Sequence, residues 1–486
     1  MAESTRRSFL SLPRRALVRR GHGYALALLV GLSLLISYSE LKSVSDDSIF
    51  LSSDSWDYLS IAQNLHHGNG YKITKGTTLV SQEPTSYRTP GYPAFILAFM
   101  KVFGEEKAVT ATILYQHFLL ALFPLLFYAV SLSIDRDRNA ALLAAVMAFL
   151  FYPFRALASV IHPELLATFL LMTAAWLLFS YLGKNGALRI LAFSLLLAAA
   201  VMVKQNLVAL GLVFVFPLPR LAGRWHCLAS LGLFVLVISC CVARNYFVQG
   251  RFPVFTTNGG LNFFLANNPD VRIDSSNKGQ YDGAMNDLMA SGSSETAADG
   301  KLYRMGFSLA RQNGPWWQLK RIAAKAVISS RDYLPPVRNE IFFLLLPFAL
   351  AAERRRLLVG SLLLFQAVYG VAAHKPAFNL AGLHFANSLD VTAVHVIGAL
   401  ALLLLVGRHD FKAGCLLLLY VLTQILGLVY IPIDREAVIA DSMLILAYAL
   451  SPEALREVYR PGTNHRDDLY APSGGRRLRF EPMAGD

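Results

Sequence analysis

Asp54-Ser55-Trp56-Asp57-Tyr58, followed by Tyr87-Arg88-Thr89-Pro90-Gly91-Tyr92-Pro93, comes after the first apolar run of this chain, which extends from about Tyr24 to Tyr38. That run reads as a membrane span, so the stretch emerges at the outer face before the chain returns to the bilayer. Two acids and an arginine held at a membrane surface are what chemistry on a lipid-linked phosphate needs. An ordinary solvated loop contains them too, so the rest of the chain must decide.

Of 486 residues, 55% are hydrophobic and only 16% charged, less charge than soluble domains carry. Apolar runs recur near 24–40, 109–133, 139–153, 164–182, 190–203, 207–219, 226–243, 340–352, 357–373, 391–407, 413–431 and 438–450. That is about twelve spans, several shorter than the ~20 residues of a perpendicular helix. Threading them alternately places both termini inside, with Arg136, Arg138, Lys184, Arg189, Arg220, Arg224, Arg354 to Arg356, Arg408 and Lys412 in short inner loops. Positive-inside topology asks for that distribution. The expected fold is an all-α polytopic membrane protein: a basic cytoplasmic N-terminus over 1–23, one transmembrane domain over 24–452 and a flexible cytoplasmic tail over 453–486.

The net charge of +13 does not indicate nucleic-acid binding, because no basic stripe interleaved with aromatics appears. Cys227, Cys240, Cys241 and Cys415 lie in or beside apolar spans and show neither metal spacing nor a disulfide framework. Thr5-Arg6-Arg7-Ser8-Phe9-Leu10 resembles a twin-arginine signal, but Arg14, Arg15, Arg19 and Arg20 continue the basic run and no Ala-x-Ala site follows. An uncleaved first span is the expectation.

Two large segments fall outside, 42–108 and 244–338. In the first, Trp56, Leu59, Ile61, Ala62 and Leu65 recur at helical spacing over Ser53 to Leu65, and Tyr92 to Phe103 is apolar but too short to span. The second is Asn-, Ser- and Gly-rich to Gly300, then helical from Lys301 to Ser329 with an interruption at Gly314-Pro315. Loops of such length are commonly functional. A transporter built of two halves would place its long connection inside, and this chain does not.

Three stretches resemble the GT-C glycosyltransferases of the protein O-mannosyltransferase and aminoarabinose transferase type. The first is Asp54-x-x-x-Tyr58, Ala62-x-Asn64-Leu65-x-x-Gly68-x-Gly70-Tyr71 and Pro84-x-x-Tyr87-Arg88-x-Pro90-Gly91-Tyr92-Pro93. The second is His162-Pro163-Glu164-Leu165, and the third is Arg244-Asn245-Tyr246, Thr257-Asn258-Gly259-Gly260-Leu261-Asn262 and Asn267-Asn268-Pro269. Order, spacing and membrane side agree over more than half the chain. Where family members commonly have Gly before Asn-Asn-Pro, this chain has Ala266.

The resemblance implies a GT-C-like bundle and an inverting transfer of sugar from a polyprenyl-phosphate carrier to a glycan, lipid or protein acceptor, with membrane lipids as the other partners. Its position matches the family's acidic residue in Asp54, the candidate base, with Asp57 as the alternative. Arg88 is the candidate for the carrier phosphate, since a guanidinium fork matches phosphate oxygens; the competing reading is a loop ion pair with Glu83. Tyr58, His162, Glu164, Lys204, Arg244, Asn258 and Asn262 complete the candidate substrate-binding set. Asp54 also reads as a helix N-cap, and the Asn residues also read as turn formers. Some GT-C enzymes use a divalent metal, but Asp54, Asp57 and Glu164 do not establish one, so no metal ligand or cofactor is assigned. The arginine-rich start fits a bacterial inner membrane with the site facing the periplasm. A transporter or flippase, and an O-antigen ligase or polymerase, are the alternatives from other classes.

Overall fold

A computed structural model describes residues 2–42, 50–76, 78–134, 137–180, 187–214, 224–251, 255–271, 280–281 and 283–328, with 379–380, 383–384 and 446. The expected spans from 340 onward lie outside the described residues apart from Leu446, as do Arg136, Lys184, Arg220, the later inner-loop arginines and the tail.

The helices are α1 (Ala2–Lys42), α2 (Ser53–His66), α3 (Gly91–Phe103), α4 (Glu105–Ile134), α5 (Arg138–Leu150), α6 (Tyr152–Ala158), α7 (Glu164–Ser180), α8 (Ala187–Val203), α9 (Arg224–Gln249), α10 (Gly259–Asn267), α11 (Ala284–Ala290) and α12 (Glu295–Ile328). Gln205–Phe214 is a 3₁₀ helix where an α-helical span over 207–219 was expected. The run at 139–153 is broken as well. Phe151 is extended and Pro153 opens α6, because proline lacks the N–H a continuing helix needs. Among the described residues the sole strand pairing is Asn379–Leu380 with Leu383–His384.

Gly21–Lys42 of α1, α4 and α9 are long and apolar enough to cross a membrane, and α3, α5, α7 and most of α8 are shorter apolar helices. Together with the composition they make this an integral membrane protein. Local chemistry sets the boundaries. Gly104 (φ 83°) ends α3 in a conformation only glycine adopts freely, and Glu105 and Glu106 then open α4 at its positive end. The Asp137 carboxylate caps α5 by accepting from the backbone N–H groups of Asn139 and Ala140. α12 kinks at Gly314 (φ 75°, ψ 167°) before Pro315, the interruption expected from Gly-Pro.

Two apolar clusters organise the fold. The larger runs from Phe50 and Tyr58 through α3 to α9, with Phe123, Phe127, Phe154 and Phe179 fully buried. The smaller joins Ile61, Ile73, Leu79 and Tyr87 to Leu261, Leu265, Met285 and Leu302. Described parts of 50–87 and 261–302 therefore pack against each other. Gly91 fixes how these parts meet the bundle: a Cβ there would lie 2.6 Å from the Met202 carbonyl carbon and 2.7 Å from the Val203 nitrogen. The start of α3 thus rests directly on the end of α8, immediately before Lys204.

Candidate active site

The site begins at the N-terminus of α2. Ser52 and Ser55 form a reciprocal capping box, so Ser52 is the N-cap and Asp54 lies inside the first turn. The Ser52 Oγ is 2.6 Å from His162 Nε2, and the Ser55 hydroxyl donates to the Ile161 carbonyl at 3.0 Å. These contacts pin α2 to the residues just before α7. Asp54, Asp57 and Tyr58, spaced three and four apart, then share one helix face.

Arg88 lies on that face. Its Nη2 donates to Asp54 Oδ1 at 3.0 Å and to Asp57 Oδ2 at 2.7 Å, and its Nε donates to the same Asp57 oxygen at 3.0 Å. Its Cζ is 5.2 Å from the Tyr58 ring centroid and 5.1 Å from that of Tyr87. The Tyr71 hydroxyl donates to the Arg88 carbonyl at 2.9 Å. Its ion-pair partners are thus Asp54 and Asp57, while Glu83 is exposed. The Arg88 and Asp54 side chains are each 11% exposed and that of Asp57 is 0%. Burial by itself would weaken the charge on Arg88, but Asp54, Tyr58 and Asp57 outweigh it and hold the guanidinium protonated well beyond its ordinary range.

A second buried pair sits alongside. Lys204 Nζ donates to Glu164 Oε1 at 2.9 Å, and His162 Nδ1 is 3.9 Å from Glu164 Oε2. Glu164 begins α7 and Lys204 follows the end of α8, so each charge lies at the helix end that favours it. Tyr58 links the pairs. Burial raises its proton affinity, and its hydroxyl feels Arg88, Asp54, Glu164 and Lys204 together. The phenol stays protonated near neutrality.

The remaining candidates are placed elsewhere. Arg244, within α9, donates to the Thr85 carbonyl at 2.6 Å and to Asn245 Oδ1 at 2.9 Å, with its Cζ 4.6 Å from the Tyr71 ring centroid. Asn258 precedes α10 and accepts from Gln205 Nε2 at 3.0 Å and from Thr256 Oγ1 at 2.9 Å. Asn262 is half-buried one turn further on. The Asn268 side chain accepts from the Asp270 N–H at 3.0 Å, an Asx turn as Asn-Pro chemistry favours. Ala266 is 1% exposed in the smaller core.

Three residues outside the candidate set, Gln116 and Glu295 buried and Asp299 half-buried, hold this arrangement together. Gln116 accepts from the Tyr92 hydroxyl at 2.6 Å and donates to the carbonyls of Ala158 (3.1 Å) and Val160 (2.8 Å), which fixes the turn that presents His162 and Glu164. Asp299 accepts from the Gly260 N–H at 2.6 Å; burial, together with nearby Glu295, raises its pKa to about 6 against that bond. Glu295 accepts from the Ser86 N–H at 2.8 Å and from the Thr257 hydroxyl. No local pattern singles these out. A polar residue amid an apolar run, as at Gln116, was the one available hint.

Among the described residues no group of three or more His, Cys, Asp or Glu is arranged to hold a metal ion. The acids nearest to such a role, Asp54 and Asp57, are both engaged by the Arg88 guanidinium.

No protein-family model matches this chain, and no curated protein matches it. Among solved structures it is similar to the oligosaccharyltransferase of Archaeoglobus fulgidus in the apo form, at 13% identity over 88% of this chain and 50% of that one, with a TM-score of 0.46. It is similar to the same organism's AglB in complex with an inhibitory peptide and a dolichol-phosphate, at 14% identity over 90% and 52%, TM-score 0.47. ArnT from Cupriavidus metallidurans bound to undecaprenyl phosphate aligns at 12% identity over 89% and 78%, TM-score 0.34. The chain spans about half the length of the oligosaccharyltransferase chains it matches. At these values the likeness carries no argument, and the chemistry rests on this chain's own residues.

Proposed function

We propose that this chain is an inverting membrane glycosyltransferase that moves a sugar from a polyprenyl-phosphate carrier to an acceptor hydroxyl at the outer face of a bacterial inner membrane. One observation carries the reading: Arg88, a buried guanidinium held between two carboxylates and two tyrosine rings, at the junction of the outer segments with the bundle. A cation so fixed is preorganised for a phosphate whose negative charge grows as the glycosidic bond breaks. Asp54, Tyr58 and Arg88 of the first motif supply this cluster.

In this reading the acceptor oxygen attacks the anomeric carbon opposite the phosphate, the carbon–phosphate-oxygen bond breaks, and the acceptor proton passes to a carboxylate. Asp54 is that base, because its side chain is partly accessible, whereas Asp57 is closed off and orients Arg88. Tyr58, protonated, offers its hydroxyl to the phosphate or the sugar. Glu164 and Lys204 supply a second buried charge pair whose field reaches Tyr58.

The test is transfer by the purified chain in nanodiscs, given a panel of radiolabelled polyprenyl-phosphate sugars and acceptors, beside mass spectrometry of lipid-linked sugars in a strain lacking the chain. A lipid-linked sugar that accumulates in that strain and is consumed in the nanodisc assay is the expected result. Transmembrane movement of an intact carrier without sugar transfer would establish a flippase instead.

A further inference from the structure

Pro84-Thr85-Ser86, the tripeptide ahead of Tyr87-Arg88, is gripped by the second outer segment at successive backbone groups. Gln249 Nε2 donates to the Pro84 carbonyl at 3.1 Å, and Arg244 Nη1 donates to the Thr85 carbonyl at 2.6 Å. The Ser86 N–H donates to Glu295 Oε1 at 2.8 Å, and the Ser86 carbonyl accepts from the Thr257 N–H at 3.1 Å. Thr257 closes the ring by donating its hydroxyl to the same Glu295 oxygen. Ser86 is 0%, Thr257 1% and Glu295 5% exposed. A buried carboxylate is costly unless its lone pairs are used; here one oxygen serves two donors from the two outer segments at once. Burial raises the proton affinity of Glu295 against the hydrogen bonds from Thr257, Ser86 and Thr85 and the field of Arg244.

We propose that Glu295 is a positioning residue for Arg88: through Ser86 and Thr257 it sets the backbone from which the guanidinium reaches the carrier phosphate. This rests on the phosphate role of Arg88 and extends it to a residue of the second outer segment. Arg88 is fixed at its side chain by Asp54 and Asp57 and at its carbonyl by Tyr71. The Glu295 node is the matching constraint on the approach from the N-terminal side. Glutamine keeps the accepting oxygen and alanine removes it, so the two substitutions separate the hydrogen-bonding role from the charge.

The experiment measures binding of a long-chain polyprenyl phosphate in nanodiscs, per folded molecule, for Glu295→Ala, Glu295→Gln, Thr257→Val, Arg88→Ala and the Glu295→Ala/Arg88→Ala double variant. Misplacement of a binding group by about 1 Å costs up to ~100-fold, so Glu295→Ala is expected to weaken binding roughly 10-fold and Thr257→Val about threefold. Glu295→Gln should stay within about twofold of wild type, because the accepting oxygen survives. In the Arg88→Ala background Glu295→Ala should add nothing, since its effect passes through the missing guanidinium. An equal loss in that background, wild-type binding by Glu295→Ala, or a Glu295→Gln as impaired as Glu295→Ala overturns the proposal. If Glu295→Ala fails to fold, Thr257→Val decides, and unchanged binding by it is then the overturning result. Wild-type binding by Arg88→Ala itself would instead remove the phosphate role on which the proposal stands.

Discussion

Asp54 and Asp57 both bind Arg88, but they do so on different terms, and exchanging each for Asn should separate them. Asp57 accepts Nε and Nη2 through one oxygen at 3.0 and 2.7 Å, with a side chain that is 0% exposed. Asp54 accepts Nη2 at 3.0 Å with 11% exposed. Removing one partner of a buried ion pair costs about 3 to 5 kcal/mol. Because Asp54 remains as a counter-ion, Asp57→Asn is expected at the low end, about 3 kcal/mol of stability. Asp54→Asn, at a pair whose side chains are each 11% exposed, should cost somewhat less than Asp57→Asn, about 1 to 3 kcal/mol, but lower turnover by ~10²–10⁴-fold through loss of the base. Thermal unfolding in nanodiscs and single-turnover transfer from a polyprenyl-phosphate sugar, run on both variants, give the comparison. If Asp57→Asn is stable but inactive while Asp54→Asn is unstable but active per folded molecule, the assignment is reversed and the accessibility argument is wrong.

Arg88→Lys keeps the charge and loses the fork that reaches both carboxylates, so polyprenyl-phosphate binding should weaken by roughly 10-fold or more; isothermal titration in nanodiscs checks it. Lys204→Met leaves Glu164 buried without its cation and should destabilise by about 3 to 5 kcal/mol, whereas Glu164→Gln/Lys204→Met together should recover much of that loss; a double-mutant cycle of unfolding free energies measures the coupling. Asp299, with its folded pKa raised to about 6 over an unfolded value near 3.9, contributes stability that is full below the unfolded value and lost as pH rises through the folded one. The unfolding temperature should accordingly fall between about pH 4 and 6 more in wild type than in Asp299→Asn, and parallel curves would contradict the shift. Gly91→Ala drives a methyl into the Met202–Val203 backbone and should cost about 1 to 3 kcal/mol as overpacking, read as a drop in unfolding temperature.

What the sequence by itself determined is what short-range physics determines. Composition and apolar run length give a membrane protein, and helical spacing gives α2, which begins at Ser53 as read. The same local signals give the short α3 and the break at Gly314-Pro315. Each follows from residues within a turn or two of one another. Local pattern missed the 3₁₀ geometry of Gln205–Phe214, because apolar content alone does not distinguish one helix type from another. The partner of Arg88 was a tertiary decision. Glu83 is near in sequence, but it is exposed, and the chain through Pro84 to Ser86 brings Arg88 across to α2, to acids 34 and 31 residues away. Glu295 reaches Ser86 across 209 positions. No periodicity encodes such a contact, because it exists only once the smaller core has packed α12 against the residues around Ile73, Leu79 and Tyr87 and its donors have offset the cost of burying that carboxylate.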